Sequence, residues 1–222
     1  MTAADAAGPV GLWTVVIPVK APAGAKTRLA AAVPPVEREA LARAFALDTI
    51  AAALAAGSVA RVVVVGGDPT LVGAAEFLAE PVDGPRGLTS AIAYGIAQVR
   101  AADDEAELRP VAVMLGDLPA LAPEELDAAL DAASRHPLAF VRDADGTGTT
   151  LATASAGVLL VPQFGVDSAA RHAAAGFVEL EASAGLRRDV DTIDALAEAL
   201  ALGVGPRTRA AAARIDAASS LL

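Results

Sequence analysis

A chain of 222 residues that is 55% hydrophobic and 20% charged is long enough to bury a sizeable core and is composed to fold. Its formal net charge of −10 and 3% aromatic content argue against a nucleic-acid binder, which presents a basic face to phosphates and aromatic rings to bases. The lack of cysteine excludes disulfides, thiolate metal sites and a cysteine nucleophile. The start, MTAADAAGPVG, has no basic segment followed by an apolar one, as a signal peptide would. Apolar runs such as Val62–Val65 and Val158–Val161 are far too short to span a bilayer. The expectation is a cytoplasmic protein with no membrane and no nucleic-acid partner, its oligomeric state unreadable.

In chain order, residues 1–11 read as a tail without periodicity, and WTVVIPV (13–19) as a buried first strand. Pro18 removes a backbone donor there, so the strand should end or bend near it. A loop rich in Ala, Gly and Lys precedes a helix over 36–56, stopped by Gly57. RVVVVGG (61–67) is the second strand. Residues 69–79 read as helical, with a short strand over 80–83. A loop over 83–92 feeds a helix to about Ala102, then Asp103–Glu107 is a solvated acidic stretch. PVAVMLGDLP (110–119) is a core strand, and Pro123-Glu124-Glu125 opens another helix. Strands follow over 138–142 and 157–161, with a Thr- and Gly-rich loop between them. A helix over 168–175, a strand over 177–181, the segment RRDVDT (187–192), a helix from 193 and a terminal helix complete the chain. Continuous apolar strands alternating with helices predict an α/β fold, its mostly parallel sheet covered by helices on both faces. One domain is expected over 12–208, followed by a C-terminal helix or tail over 209–222. Ligands on such sheets sit at the carboxyl ends of the strands.

Four groups of residues carry candidate chemistry. Asp117, in GDLPAL (116–121), terminates an apolar strand at that edge; Gly116 permits close approach and Pro119 fixes the turn. A carboxylate there is costly to desolvate unless paired, hydrogen-bonded or on a metal, although it could merely cap a turn. Asp189 and Asp191 lie two apart, so an extended segment turns both to one side and Val190 to the core. Two oxygens on one side suit a hard cation such as Mg²⁺; alternatively Asp191 caps the next helix. Lys20, Lys26 and Arg28 concentrate positive charge after the first strand, as a phosphate site or a solvated loop. No P-loop motif is present. DADGTGTTLATAS (143–155) and PQFGVDSAARH (162–172) offer backbone amides and hydroxyls, with Asp167 or Ser168 placed to cap a helix. Arg187 and Arg188 read as phosphate contacts or surface charge, and His136 and His172 as structural or surface residues.

The segments WTVVIPVKAPAGAKTRL, GDLPAL, DGTGTT, FGVDSAARH and LRRDVDT fall in an order that resembles the 2-phospho-L-lactate and phosphoenolpyruvate guanylyltransferases of coenzyme F420 biosynthesis. The resemblance runs from Trp13 to the segment GVGPRT (203–208). IPVKAPAGAK stands where most nucleotidyltransferases carry an L-A-G-G-type loop, which fits this narrower family. The resemblance implies a Rossmann-like nucleotidyltransferase fold and condensation of GTP with phosphoenolpyruvate, releasing pyrophosphate. It implies Mg²⁺ on Asp117, Asp189 and Asp191, and the phosphorylated acid on Thr149 (Thr150 is adjacent), Gly165 and Ser168. The nucleotide is expected against Pro18, Val19, Lys20, Lys26, Arg28 and Ser90, with Asp117, Lys20 and Lys26 catalytic. The acceptor phosphate would attack the α-phosphorus in line, and being already ionised it needs no general base. The residues alone leave open 2-phospho-L-lactate, 3-phosphoglycerate or another phosphorylated acceptor, and a noncatalytic nucleotide-binding module.

Overall fold

A computed structural model describes residues 12–20, 26–30, 33–81, 83, 87–101 and 109–219. The expected tail over 1–11, the acidic stretch 103–107 and most of the loop over 21–25 lie outside the described residues. The frame is a seven-stranded sheet built from β1 (Trp13–Val19), β2 (Val59–Gly66), β3 (Glu76–Ala79), β4 (Val111–Met114), β5 (Leu138–Arg142), β6 (Thr149–Ala154) and β7 (Val178–Glu179). Their order across the sheet is β3-β2-β1-β4-β6-β5-β7. Only β6 runs against the rest, antiparallel to both β4 and β5. Around the sheet lie helices α1 (Pro35–Ala55), α2 (Leu88–Ala101), α3 (Pro123–Ala133), α4 (Ser168–Ala174), α5 (Ala184–Arg187), α6 (Ile193–Leu202) and α7 (Pro206–Ser219).

Burial on both faces explains why the central strands read as unbroken apolar runs. All seven residues of β1 are buried. Val15, Ile17, Val62, Val64 and Met114 face one apolar layer with Ile50 of α1 and Leu126 and Leu130 of α3. Val16, Val63, Val65, Val111 and Val113 face the other, with Ile92 and Ile96 of α2. A third cluster joins Leu29, Leu41, Phe45, Val190, Leu196 and Val204. Val190 is fully buried there, which anchors the segment carrying Asp189 and Asp191 by about 1.5–3 kcal/mol of apolar burial.

Four expectations need correction. α2 begins at Leu88, inside the expected loop over 83–92, where the Gly87 carbonyl accepts from Ala91 N–H at 3.0 Å. Residues 69–79 are not a helix. Asp68 accepts from the Thr70 N–H at 2.8 Å to cap one 3-10 turn at Pro69–Leu71, and Glu76–Ala79 then pairs with β2, so the strand precedes 80–83. The strand placed over 157–161 is instead β6, which takes half of the expected Thr/Gly loop. TTLATA finds partners on both sides and is buried throughout, whereas Leu159 is 76% exposed in an irregular segment. The core strand over 110–119 is shorter, since regular pairing stops at Met114. Pro18 behaves as its chemistry requires. It stays in register with Val65 of β2, but pairing of β1 with β4 covers only Thr14 to Val16.

Candidate active site

The carboxyl ends of β1 and β4 open into a cavity of about 450 Å³. Pro18, Val19 and Lys20 line it from the end of β1, and Lys26 and Arg28 from the turn beyond. Leu115, Gly116 and Asp117 follow β4, and Asp191 arrives from the segment before α6. Gly116 fits closely here: a Cβ at that position would meet Val19 Cγ2 at 3.0 Å and the Pro18 carbonyl oxygen at 3.2 Å.

Backbone tethers hold the acids. Val190 N–H donates to the Asp117 carbonyl at 3.1 Å, which ties the Asp189–Asp191 segment to the end of β4. Leu118 N–H donates to Thr49 Oγ1 of α1 at 3.0 Å. Lys26 adopts a left-handed backbone (φ 54°), and its carbonyl accepts from Leu29 N–H at 3.0 Å. That conformation is strained for a side chain with a Cβ, and such strain concentrates at functional positions. It brings the ammonium between two carboxylates. Lys26 Nζ donates to Asp117 Oδ2 and, at 2.8 Å, to Asp191 Oδ1. Arg28 adds a longer ion pair to Asp191 Oδ2 at 3.7 Å.

The electrostatics are uneven. Burial alone would lower the Lys26 ammonium, but Asp117 and Asp191 outweigh it and raise it above its ordinary value. Burial likewise disfavours the Asp191 carboxylate, and Lys26 nevertheless holds it below the ordinary range. Asp189 has no comparable partner. Burial and then the neighbouring Asp117, Asp191 and Asp143 push it up to about 7. Asp117 Oδ1 is buried without a hydrogen-bond partner among the described residues. Among the described residues no three His, Cys, Asp or Glu side chains stand ready-grouped around a metal position, and the Lys26 ammonium lies between two of the three aspartates.

The other expected site residues divide. Pro18, Val19, Lys20, Lys26 and Arg28 share the cavity, but Ser90 does not line it; Leu88, two residues earlier on α2, does. Thr149 and Ser168 are brought together through His172, whose Nδ1 lies 3.0 Å from Thr149 Oγ1 and 2.9 Å from the Ser168 carbonyl. Both residues are 2% exposed and neither lines the cavity. Gly165 has a left-handed φ of 117°, which a side chain would resist. Asp167 takes the N-cap position of α4 without a side-chain cap bond. Asp191 is not the cap of α6; Thr192 Oγ1 accepts from Ala195 N–H at 3.1 Å, leaving the carboxylate to the cavity. Arg187 donates to the Arg142 and Asp143 carbonyls, and Arg188 pairs with Asp145 and Glu198, so both are engaged away from the cavity. His172 carries the packing role expected of it but is also hydrogen-bonded on both ring nitrogens, which an isolated histidine in the sequence does not announce.

The carboxyl edge of a mostly parallel sheet is where such folds bind ligands, and solved structures share the fold. A protein from Desulfovibrio desulfuricans G20, provisionally described as a nucleotide-diphospho-sugar transferase, superposes with a TM-score of 0.60 at 20% identity, over 81% of this chain and 82% of that one. A manganese complex of Rv0371C from Mycobacterium tuberculosis gives 0.53 at 22% identity, over 86% and 99%. The family model "Guanylyl transferase CofC like" matches residues 13–175. The phosphoenolpyruvate guanylyltransferase of Streptomyces coelicolor is 51% identical over 91% of this chain and 97% of its own length. The chain belongs to the guanylyl transferase CofC-like family, and it is an enzyme of the nucleotidyltransferase class. Among the described residues no helix is long and apolar enough to cross a membrane.

Proposed function

We propose that this enzyme condenses GTP with phosphoenolpyruvate to give enolpyruvoyl-2-diphospho-5′-guanosine and pyrophosphate, in coenzyme F420 biosynthesis. The observation that carries the reading is the convergence of Lys20, Lys26 and Arg28 with Asp117 and Asp191 on one cavity. In a chain of net charge −10, a local reversal of sign suits a polyphosphate. The identity to the Streptomyces coelicolor enzyme, over nearly the full length of both chains, supports the choice of guanine and of phosphoenolpyruvate.

The residues present also fit Mg²⁺. Asp117 Oδ1 is buried and unpartnered, an unmet demand for a donor or a cation, and a carboxylate oxygen is the ligand Mg²⁺ takes. Asp117, Asp189 and Asp191 would hold the ion once the Lys26 ammonium moves toward the nucleotide. A divalent cation there would neutralise phosphate charge and stabilise charge developing on the leaving oxygens. Lys20, Lys26 and Arg28 bind and orient the nucleotide phosphates, and Thr149, Gly165 and Ser168 hold the phosphorylated acid for in-line attack. Val19, Ala42, Ala46 and Leu88 add an apolar lining to the cavity.

Pyrophosphate release is the test, with GTP or ATP crossed against phosphoenolpyruvate, 2-phospho-L-lactate and 3-phosphoglycerate. GTP with phosphoenolpyruvate should give the highest kcat/KM, and Asp117→Asn should abolish turnover in a folded protein. Preference for another base or acceptor would replace the named substrates. Nucleotide binding without turnover on any pair would leave a binding module.

A further inference from the structure

His172 is fully buried among three of the five phenylalanines. Its ring lies 5.6 Å from Phe140, 5.2 Å from Phe164 and 4.8 Å from Phe177, centre to centre. Its Nε2 stands 3.1 Å from the backbone N–H of Gln163. That N–H can only donate, so Nε2 must present its lone pair. A neutral ring then carries its proton on Nδ1, which faces the Ser168 carbonyl at 2.9 Å and Thr149 Oγ1 at 3.0 Å. A carbonyl only accepts, so the Nδ1–H is shared, and Thr149 Oγ1 serves this ring as an acceptor. The hydroxyl's own proton has no acceptor among the described residues.

A bulge in β6 creates this contact. Val141 of β5 pairs with Leu151, yet its neighbour Arg142 pairs with Thr149, so Thr150 is the extra residue. Without the bulge, the strict alternation of a strand would put Thr149 on the Leu151 side, against the α1 and α3 layer. With it, Thr149 turns to the face of Phe140 and His172.

We infer that His172 is a positioning residue for the acceptor half of the site: as a neutral Nδ1–H donor it fixes the Thr149 hydroxyl with its proton free for an anionic oxygen of the phosphorylated acid. The same ring ties Gln163, and with it the turn through Gly165, to Ser168. One imidazole thereby sets β6 and the turn before α4 relative to α4. Burial lowers the His172 pKa to about 4, so the donor tautomer persists at neutral pH without a competing positive charge. The inference rests on Thr149, Gly165 and Ser168 being the acceptor contacts.

Steady-state kinetics of pyrophosphate release with GTP and phosphoenolpyruvate test it. His172→Phe keeps the aromatic packing and removes the hydrogen bonds at both ring nitrogens. It should raise the KM for phosphoenolpyruvate roughly tenfold or more, while that for GTP changes less than about twofold. Thr149→Val should match it, and the double variant should be little worse than either, because the two residues act as one unit. His172→Asn, whose amide N–H stands near the position of Nδ1, should recover most of the loss. Equal changes in both KM values, or an unchanged acceptor KM in a folded variant, would overturn the inference. Wild-type protein gives a second reading should the variants fail to fold. With two histidines in the chain, ¹⁵N spectra should show one locked in the Nδ1–H form and shifted by phosphoenolpyruvate but not by GTP. An Nε2–H form, or no such shift, would refute it. Wild-type turnover on another acceptor alone would change the proposed substrate and leave the His172 measurements to be read with that acid.

Discussion

At the scale of single residues, the site holds three aspartates and one shared cation. Lys26 pairs with one oxygen of Asp117 and one of Asp191, and Asp189 is left to repel both. Its raised value means that the folded protein keeps a proton on Asp189 up to about pH 7, whereas an unfolded chain loses it near the ordinary carboxylate value. The stability this gives at acid pH is therefore lost as the pH rises through 7. Asp189→Asn removes the repelled charge. In EDTA at pH 8 it should stabilise the fold by on the order of 2 kcal/mol, read as a higher denaturant midpoint. With Mg²⁺ added the gain should shrink, since the ion binds and stabilises the wild type more strongly. A stabilised variant with reduced turnover is the signature of a site that trades stability for function. A variant less stable than wild type in EDTA would mean that Asp189 is held by a partner instead.

At the scale of elements, the acids depend on joints between helices. α7 lies along α1, and its first turn is capped from outside by Asp48 of α1. Asp48 Oδ2 accepts from Thr208 N–H at 2.7 Å and Oδ1 from Arg207 N–H at 3.3 Å. Gly205 admits this approach, because a Cβ there would come within 2.4 Å of the Asp48 carboxyl carbon. The same junction touches the site, as Gly205 N–H donates to the Pro119 carbonyl at 2.9 Å, two residues beyond Asp117. Asp48→Ala strands two helix N–H groups and a buried cavity, and should cost about 2 kcal/mol. Hydrogen exchange over residues 206–215 should accelerate before that of β1 and β4. Unchanged protection of α7 would show that apolar packing on α1, such as Ala212, suffices to hold it.

At the scale of the whole molecule, acid stability should carry the mark of His172. Its folded value, about 4, lies below that of an unfolded histidine, so between about pH 6.5 and 4 the unfolded chain binds a proton that the native state refuses. The neutral ring's contribution is complete above pH 6.5 and falls away toward pH 4, by on the order of 3 kcal/mol. Asp189 acts with the opposite sign across this whole range, so the wild-type curve mixes the two. Comparison with His172→Phe isolates the histidine. The variant's midpoint should fall less than the wild type's between pH 7 and pH 4.5, and parallel curves would show that His172 protonates freely in the native state.

What the sequence determined by itself was local and periodic. β1, α1 and β2 fall within two residues of their expected bounds and α3 opens at Pro123 as expected, because a strand buried on both faces is an unbroken apolar run and proline or glycine marks helix ends. The pairing of Asp189 with Asp191 across a buried Val190 follows from the period of two in extended chain. Tertiary structure alone decided which residues meet. Lys26 lies 91 residues from Asp117 and 165 from Asp191, and no local pattern encodes that their charges share one bond network. β6 shows the same limit, since threonines that read as a loop become a strand once β4 and β5 offer hydrogen bonds on both sides. The bulge at Thr150, which turns Thr149 toward His172, exists only in the pairing of β5 with β6. Propensity and period act over a few residues, whereas register and charge pairing are settled by segments that meet only after the chain has folded.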